Sequence, residues 1–468
     1  MKFHARIYLV ISVFILVLSC SKSEITGDDG DPDGPYTTIP DENFELALIE
    51  YGIDRDGWNG KVLTSNIAKI QELSVDGREI SDLTGIQGFT SLRELTVGSN
   101  YLTSLDLSKN TSLNYLDVSY NQLTNLNIRS NKSLSIFSCV ENQLTSLDIS
   151  NNTSLTSLFC GNNQLTSLDV GKNTSLTMLE LGENELTSLD VGNNTSLEYL
   201  WCDKNKLTAL DLTRNRSLIA IWCDNNQLTS LDVSKNPSLT YLFCGNNQLS
   251  SLDVRNNQVL EQLDIGENQL TYLDVSSNTS LAYLMCENNQ LTNLDVRNNA
   301  SLYDLRIDYN QIATLDVSTN PLLDELHLSG NQITSLDVSN NTSLKFLFCG
   351  ENQLTTLDVS NNTALIDFRC DHNQLTTLDV SKNTSLYDLR CDNNYLTALD
   401  VGNHPYLTYF WCSNNQLTAL DVSNNTYLEW LRCQFNPLTC IKVNQYQLDF
   451  IPENWIKDPE DQYALDCN

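Results

Sequence analysis

Fourteen cysteines are the most reactive side chains in this 468-residue chain, and such a number ordinarily signals a disulfide scaffold or a zinc site. Their spacing argues against both. Cys139, Cys160, Cys202, Cys223, Cys244, Cys286, Cys349, Cys370, Cys391, Cys412 and Cys433 are all separated by multiples of 21 residues. Elsewhere the same position holds Val97, Val118, Leu181, Ile265, Ile307 or Leu328, so it belongs to an apolar core and the thiols act as small hydrophobes. Cys440 and Cys467 stand apart, the first at an outward position near the end of the register and the second beside the C-terminus. A bridge between them would staple the tail, with Trp455 and Ile456, over the open end of the core.

Carboxylates repeat with the same period. Asp106, then Asp148 and every twenty-first residue to Asp421, form a row broken only at Asn127 and ended by Lys442. At ~5 Å spacing each neighbouring pair repels by about 1 kcal/mol in water. Two arrangements would offset this. In one, each Asp accepts hydrogen bonds from the adjacent Ser or Thr and from turn amides. In the other, the row holds calcium, which needs several oxygens and a shaped loop. The first is preferred, since the pattern supplies turns but no such loop. Asp54, Asp56, Gly57, Asn59 and Gly60 also hint at calcium, but Trp58, Asn59 and Ser65 stand where an EF-hand loop wants an oxygen ligand, Gly and Glu.

Catalysis finds no support. Beyond His4 the histidines are His327, His372 and His404, none beside a nucleophile motif, and a row of equivalent carboxylates lacks the contrast that separates an acid from a base. No phosphate loop, dinucleotide fingerprint or zinc pattern is present. No cofactor and no metal site is therefore expected.

The element that must position these residues is the repeat itself. Seventeen copies run without insertion from Leu92 to the copy beginning at Leu428. A typical copy, LTSLFCGNNQLTSLDVGKNTS from Leu155, has two similar halves of the form L-x-x-L-x-(C/V/L)-x-x-N. Both leucines and the sixth residue point inward and stack on the next coil, and the Asn satisfies backbone groups that the turn would otherwise bury unpaired. The first-half Asn is present in all seventeen copies, from Asn100 to Asn436; the second, Asn110 to Asn425, is broken only at His404. No coil buries its own core, so both ends need caps.

These motifs resemble the leucine-rich repeat proteins, in their bacterial nested subclass, and the 22-residue copy before Leu92, with Ile70, Leu73, Val75, Ile80, Leu83 and Ile86, resembles an internalin repeat. The resemblance covers about residues 70–443 and implies an extracellular recognition surface without chemistry. The expected fold is a β-rich solenoid of 21-residue coils with short parallel strands on one or both sides. Because the halves are nearly equal in length, weak curvature and strands on both sides are favoured, over a length on the order of 80 Å. A small helical N-terminal cap and a disulfide C-terminal cap complete it.

Function is expected where copies differ. The third and fifth residues of each half point outward; in the second half they are monotonous, Ser, Thr, Ala or Asn followed by Asp. In the first half they include Tyr199, Trp201, Trp222, Tyr241, Phe243, Tyr283, Met285, Phe346, Phe348, Tyr409, Trp411, Trp430 and Arg432, with Asp367, Arg369, Asp388 and Arg390 between. Rows of outward aromatics are what binding hot spots are made of. The bland alternative is that they stack on one another and shield the sheet.

The ends place the molecule. Lys2 and Arg6 precede an apolar run, Ile7–Leu18, too short to span a ~30 Å hydrocarbon core as a helix, so residues 1–19 read as a signal peptide. Val17-Leu18-Ser19-Cys20 resembles the lipobox of bacterial lipoproteins, which implies lipidation of Cys20. Residues 20–38 then form an acidic tether rich in Gly and Pro, similar to the surface-export signals of Bacteroidetes lipoproteins. Residues 39–69 form the N-terminal cap, with a short helix from Pro40–Asp41 carrying Phe44, Leu46, Leu48 and Ile49 and ending at Gly52; residues 70–443 are the solenoid and 444–468 the C-terminal cap. A net charge of −32 excludes nucleic acid as a partner. The expectation is a non-catalytic protein, lipid-anchored to the outer membrane and surface-exposed, that binds a protein or glycan through the aromatic first-half face. Alternatives are a structural spacer without ligand and a calcium-dependent binder using the Asp row.

Overall fold

Each copy places its fourth-position residue between two outward ones, and in the computed structural model, which describes residues 34–467, that residue is the centre of a three-residue strand. Eighteen such strands, from Glu72–Ser74 to Trp430–Arg432, and a final two-residue strand, Trp455–Ile456, pair in parallel and in chain order. The register is residue on residue: Leu200 faces Ile221, and Ile221 faces Leu242. The sheet is open, since Glu72–Ser74 pairs only with Glu94–Thr96 and Trp455–Ile456 only with Trp430–Arg432.

The second halves differ from the expectation of strands on both sides. Strand pairing there is confined to a single bridge, Asp106 to Asn127, and to a sheet at the C-terminal end, Leu420–Asp421, Cys440–Lys442 and Gln462–Ala464. Along this side the Asp of each second half closes a turn onto the amide two residues ahead, as Asp232 does with Ser234 at 2.9 Å.

Between the two sides lies one continuous apolar core in which the eleven in-register cysteines are buried and unbridged. The Cys139 and Cys160 sulfurs are 3.1 Å apart. Burial pushes up the ten in-register thiols from Cys160 to Cys433, Cys433 itself to about 12.

Both Asn ladders form. Asn226 Nδ2 donates to the carbonyls of Cys202, Cys223 and Asp224 at 2.9, 3.1 and 3.2 Å, and its Oδ1 accepts from Leu207 N at 2.9 Å. The second ladder bonds across coils, as Asn236 does to Leu212 and Asn215. At the interruption, His404 Nε2 meets Val380 O at 2.9 Å and preserves the ladder's cross-coil bond. After each strand the eighth residue turns the chain with positive φ, usually in a non-glycine residue such as Asn162 or Glu183.

At the N-terminal end a helix, Glu42–Glu50, is capped by Asp41, which accepts from Asn43 and Phe44 amides and, through its other oxygen, from Ser81 and Asp82. Phe44, Glu45, Ala47 and Leu48 are its buried residues; Leu46, expected inward, is exposed because the helical period turns Ala47 to the core instead. Asp54 and Asp56 form a turn, and Glu45 holds the amides of Asn59 and Gly60. At the other end Cys440 and Cys467 form the disulfide expected. Trp455 packs under the last coil with Nε1 donating to Leu428 O, and Gln447 Nε2 donates to Val422 and Asn425 carbonyls, where the next Asn of the second ladder would have bonded.

Candidate functional site

Strand periodicity turns the third and fifth residues of each first half to one side of the sheet, and it continues to the seventh, a position that the sequence pattern did not single out. Three rows therefore share this face. The seventh row alternates small residues with acids: Gly182, Asp203, Asp224, Gly245, Gly266, Glu287, and later Gly350, Asp371 and Asp392. The glycines make room for a neighbouring coil's carboxylate. A Cβ at Gly161 would lie 2.0 Å from Glu180 Oε1, and one at Gly182 would lie 2.8 Å from Asp203 Oδ1.

The aromatic residues fall into two groups with different surroundings. In the first, Tyr199, Trp201, Trp222 and Phe243 form one stack, with centroids 5.8, 4.9 and 5.3 Å apart and planes within 13° of parallel. Trp222 is only 9% exposed, since Trp201 and Phe243 cover both of its faces. The others are half-buried, as is Tyr241, whose hydroxyl lies 3.5 Å from Glu261. Along the fifth row the stack ends in a carboxylate on either side, Glu180 paired beside Trp201 and Asp264 beside Phe243. Tyr283 lies further on and meets Tyr303 at 5.8 Å.

In the second group the rings are covered by the chain's own arginines. Arg390 and Arg432 lie over Trp411 at 4.0 and 4.2 Å, and Arg369 lies over Phe348 at 4.5 Å. Two of these guanidiniums are held from the third row: Arg390 by Asp388 at 2.9 Å, and Arg369 by Asp367 at 2.8 Å. Arg306 joins Asp304 and Glu325 in the same way. Tyr409 stacks on Trp430 at 6.3 Å, and Phe346 sits half-buried beside Asp367.

Electrostatics follow this division. Burial and the nearby Asp203 push the Glu180 carboxyl up to about 7. Burial and Asp224 push Asp203 up to about 6, against the pull of Lys204. Glu287 is raised to about 7 by burial and by Asp264 and Asp308, although Arg306 opposes this. On the other side Asp148 shows the opposite shift: hydrogen bonds from Ser150 and Arg129 hold it down to about 2. Its Oδ1 accepts from Ser150 N at 2.9 Å, and the same turn recurs from Asp106 to Asp421. Two groups elsewhere have the ligand types for a divalent ion, Asp304–Glu325–His327 and Asp371–His372–Asp392. Arg306 already neutralises the first, and neither belongs to the Asp row. Cys20 lies outside the described residues.

No family model and no curated protein matches the chain. Solved structures do. The functional domain of InlJ from Listeria monocytogenes, described as including a cysteine ladder, is 34% identical over 84% of each chain with a TM-score of 0.72. The internalin InlF from Listeria monocytogenes is 22% identical over 73% of this chain and 97% of its own, with a TM-score of 0.60. A plant peptide hormone receptor, RGFR1 in complex with RGF2, is 22% identical over 84% of this chain and 73% of its own, with a TM-score of 0.69. The last two likenesses are of fold alone. The column of eleven buried cysteines, the paired Asn ladders and the identity and coverage shared with the first of these structures together show that this chain belongs to the internalin-like leucine-rich repeat proteins.

Proposed function

We propose that the protein is a non-catalytic recognition protein, held at the bacterial surface by a lipid on Cys20, that binds a protein ligand through the aromatic first-half face. One observation carries the reading. The stack of Tyr199, Trp201, Trp222 and Phe243 stands on a rigid parallel sheet with carboxylates at both ends, and large aromatic side chains held in place by their scaffold lose little entropy on binding. A plant receptor of the same fold is seen with a peptide hormone, which adds support for a protein partner. The test is binding of the purified protein to protein and glycan arrays, before and after Trp201, Trp222, Trp411 and Trp430 are changed to Ser. Loss of a protein signal supports the proposal, and loss of a glycan signal alone replaces it with sugar recognition.

A second reading, a structural spacer, is favoured by a specific feature: the rings cover one another so well that Trp222 is 9% exposed. Array signals that the four changes leave intact would favour it. A calcium-dependent role for the Asp row has less support, because one oxygen of each typical Asp is already engaged by a turn amide. Anchoring is tested separately. Cys20→Ser is expected to move the protein from the membrane fraction to the soluble fraction, and retention in the membrane would remove the lipid anchor from the proposal.

A further inference from the structure

Further along the seventh row, two carboxylates meet an imidazole from the eighth. Asp371 and Asp392 are one coil apart and His372 follows Asp371, so the three come together only because the coils stack in register. His372 N donates to Asp392 O at 2.9 Å, which fixes the register at this point. One ligand atom from each side chain lies within 4.8 Å of the other two, and Asp371 Oδ2 is 3.0 Å from His372 Nδ1. Asp392 is 9% exposed; its Oδ2 accepts from Asn393 Nδ2 at 2.5 Å, while its Oδ1 is buried without a hydrogen-bond partner. An oxygen buried in this way costs free energy that a bound cation offsets. Burial and the neighbouring Asp371 also push the Asp392 carboxyl up. The nearby guanidinium of Arg369 feels the charge of Asp371, but its bonds go to Asp367 at 2.8 Å and Asp388 at 3.5 Å, and it lies on Phe348. Beside Asp203 the eighth row supplies a cation of its own, Lys204, which pulls that carboxyl down. Beside Asp371 the same position holds a ring that can ligate a metal.

We propose that Asp371, His372 and Asp392 bind one divalent transition ion of the zinc class, with one imidazole nitrogen and two carboxylate oxygens as ligands and a fourth position open to solvent. The donor set selects the ion. Zinc takes His nitrogen and carboxylate oxygen at ~2.0–2.2 Å in four-coordinate sites, whereas calcium and magnesium prefer oxygen alone. Ligands around a tetrahedral ion at that distance stand about 3.3 Å apart, so Asp371 and His372 are already placed and the third atom has at most about 1.5 Å to travel. The His372 side chain is 53% exposed, which gives the ion a route from solvent. The site does not depend on what the aromatic face binds.

The probe is zinc alone, titrated calorimetrically into the purified full-length protein after treatment with a chelator, with calcium and magnesium in parallel titrations. Binding of one zinc ion per chain is expected, and His372→Asn and Asp392→Asn are each expected to weaken it about a hundredfold or more. Asn suits position 372, since Asn393 and Asn414 hold the same left-handed turn in the next coils. His327→Asn tests the other carboxylate–imidazole group, and Asp337→Asn with Asp358→Asn tests diffuse attraction by the acidic surface. Both controls are expected to change zinc binding less than about twofold. Thermal melting without metal checks that each variant folds, and zinc is expected to raise the melting temperature of the parent and both controls but not of His372→Asn. Absence of saturable zinc binding, binding that His372→Asn leaves unchanged, or tighter binding of calcium than of zinc overturns the proposal.

Discussion

Asn226 satisfies four backbone groups at once, three carbonyls and the Leu207 amide. Its replacement by Ala leaves buried groups unpaired at ~1–3 kcal/mol each, so Asn226→Ala is expected to cost at least about 2 kcal/mol and to open the array locally. Hydrogen exchange that speeds first at its own and neighbouring coils would check this. Trp222 behaves differently from a residue read simply as outward. Both of its faces are covered, so Trp222→Ser is expected to cost about 1–3 kcal/mol in addition to any loss of binding, and chemical denaturation measures the first apart from the second. Glu180 gives a pH signature. Its carboxyl is raised from 4.5 to about 7, so the folded state holds that proton more tightly than the unfolded one. The resulting stabilisation is complete below about pH 4.5 and is lost as pH rises through about 7; Glu287 has the same sign. Asp148, near 2, has the opposite sign and loses its contribution only as pH falls below 4. Melting temperature is expected to decline from pH 5 to pH 7.5 and to decline less in Glu180→Gln; parallel slopes would count against the assignment.

The C-terminal cap shows how an end element works. Trp455–Ile456 adds a last strand to the sheet, Gln447 takes over the Asn ladder's bonds, and the Cys440–Cys467 bridge, at a sequence separation of 27, locks both in place. Cys440→Ser removes a loop closure worth ~3 kcal/mol in the chain-entropy picture, and the last coils are expected to become sensitive to trypsin before the rest. Identical digestion with and without reductant would argue against this. The bridge was legible because Cys440 and Cys467 were the cysteines that broke the register near the tail. Strand positions were legible for a related reason, since a leucine between variable residues has only one side to bury. What was not legible follows from the same logic. A period states which residues face outward, not what they lean on, so it did not distinguish Trp411 under its arginines from Trp201 in a ring stack, nor show that Asp203 and Asp224 share their face. Nor did it show that pairing in the second halves is confined to the two ends of the array.

The described residues share one continuous core, and the sulfur column runs inside it from Cys139 to Cys433. Every one of these thiols is buried, so a thiol reagent is expected to leave them unmodified in the native protein and to label all eleven after denaturation; rapid native labelling of most of them would contradict the structure. The constant 21-residue period has a further consequence when the molecule bears load. Each coil is joined to its neighbours by the same strand pairing and the same amide bonds, so coils pulled from one end should resist almost equally and give way in turn. Each event would release a uniform length of about 70 Å, 21 residues at ~3.4 Å each. A pull on the C-terminus enters through Cys467 and passes directly to Cys440, so the cap does not pay out first. A surface protein gripped by its partner and dragged would therefore lengthen by equal increments, shedding tension step by step while the coils still folded keep their hold.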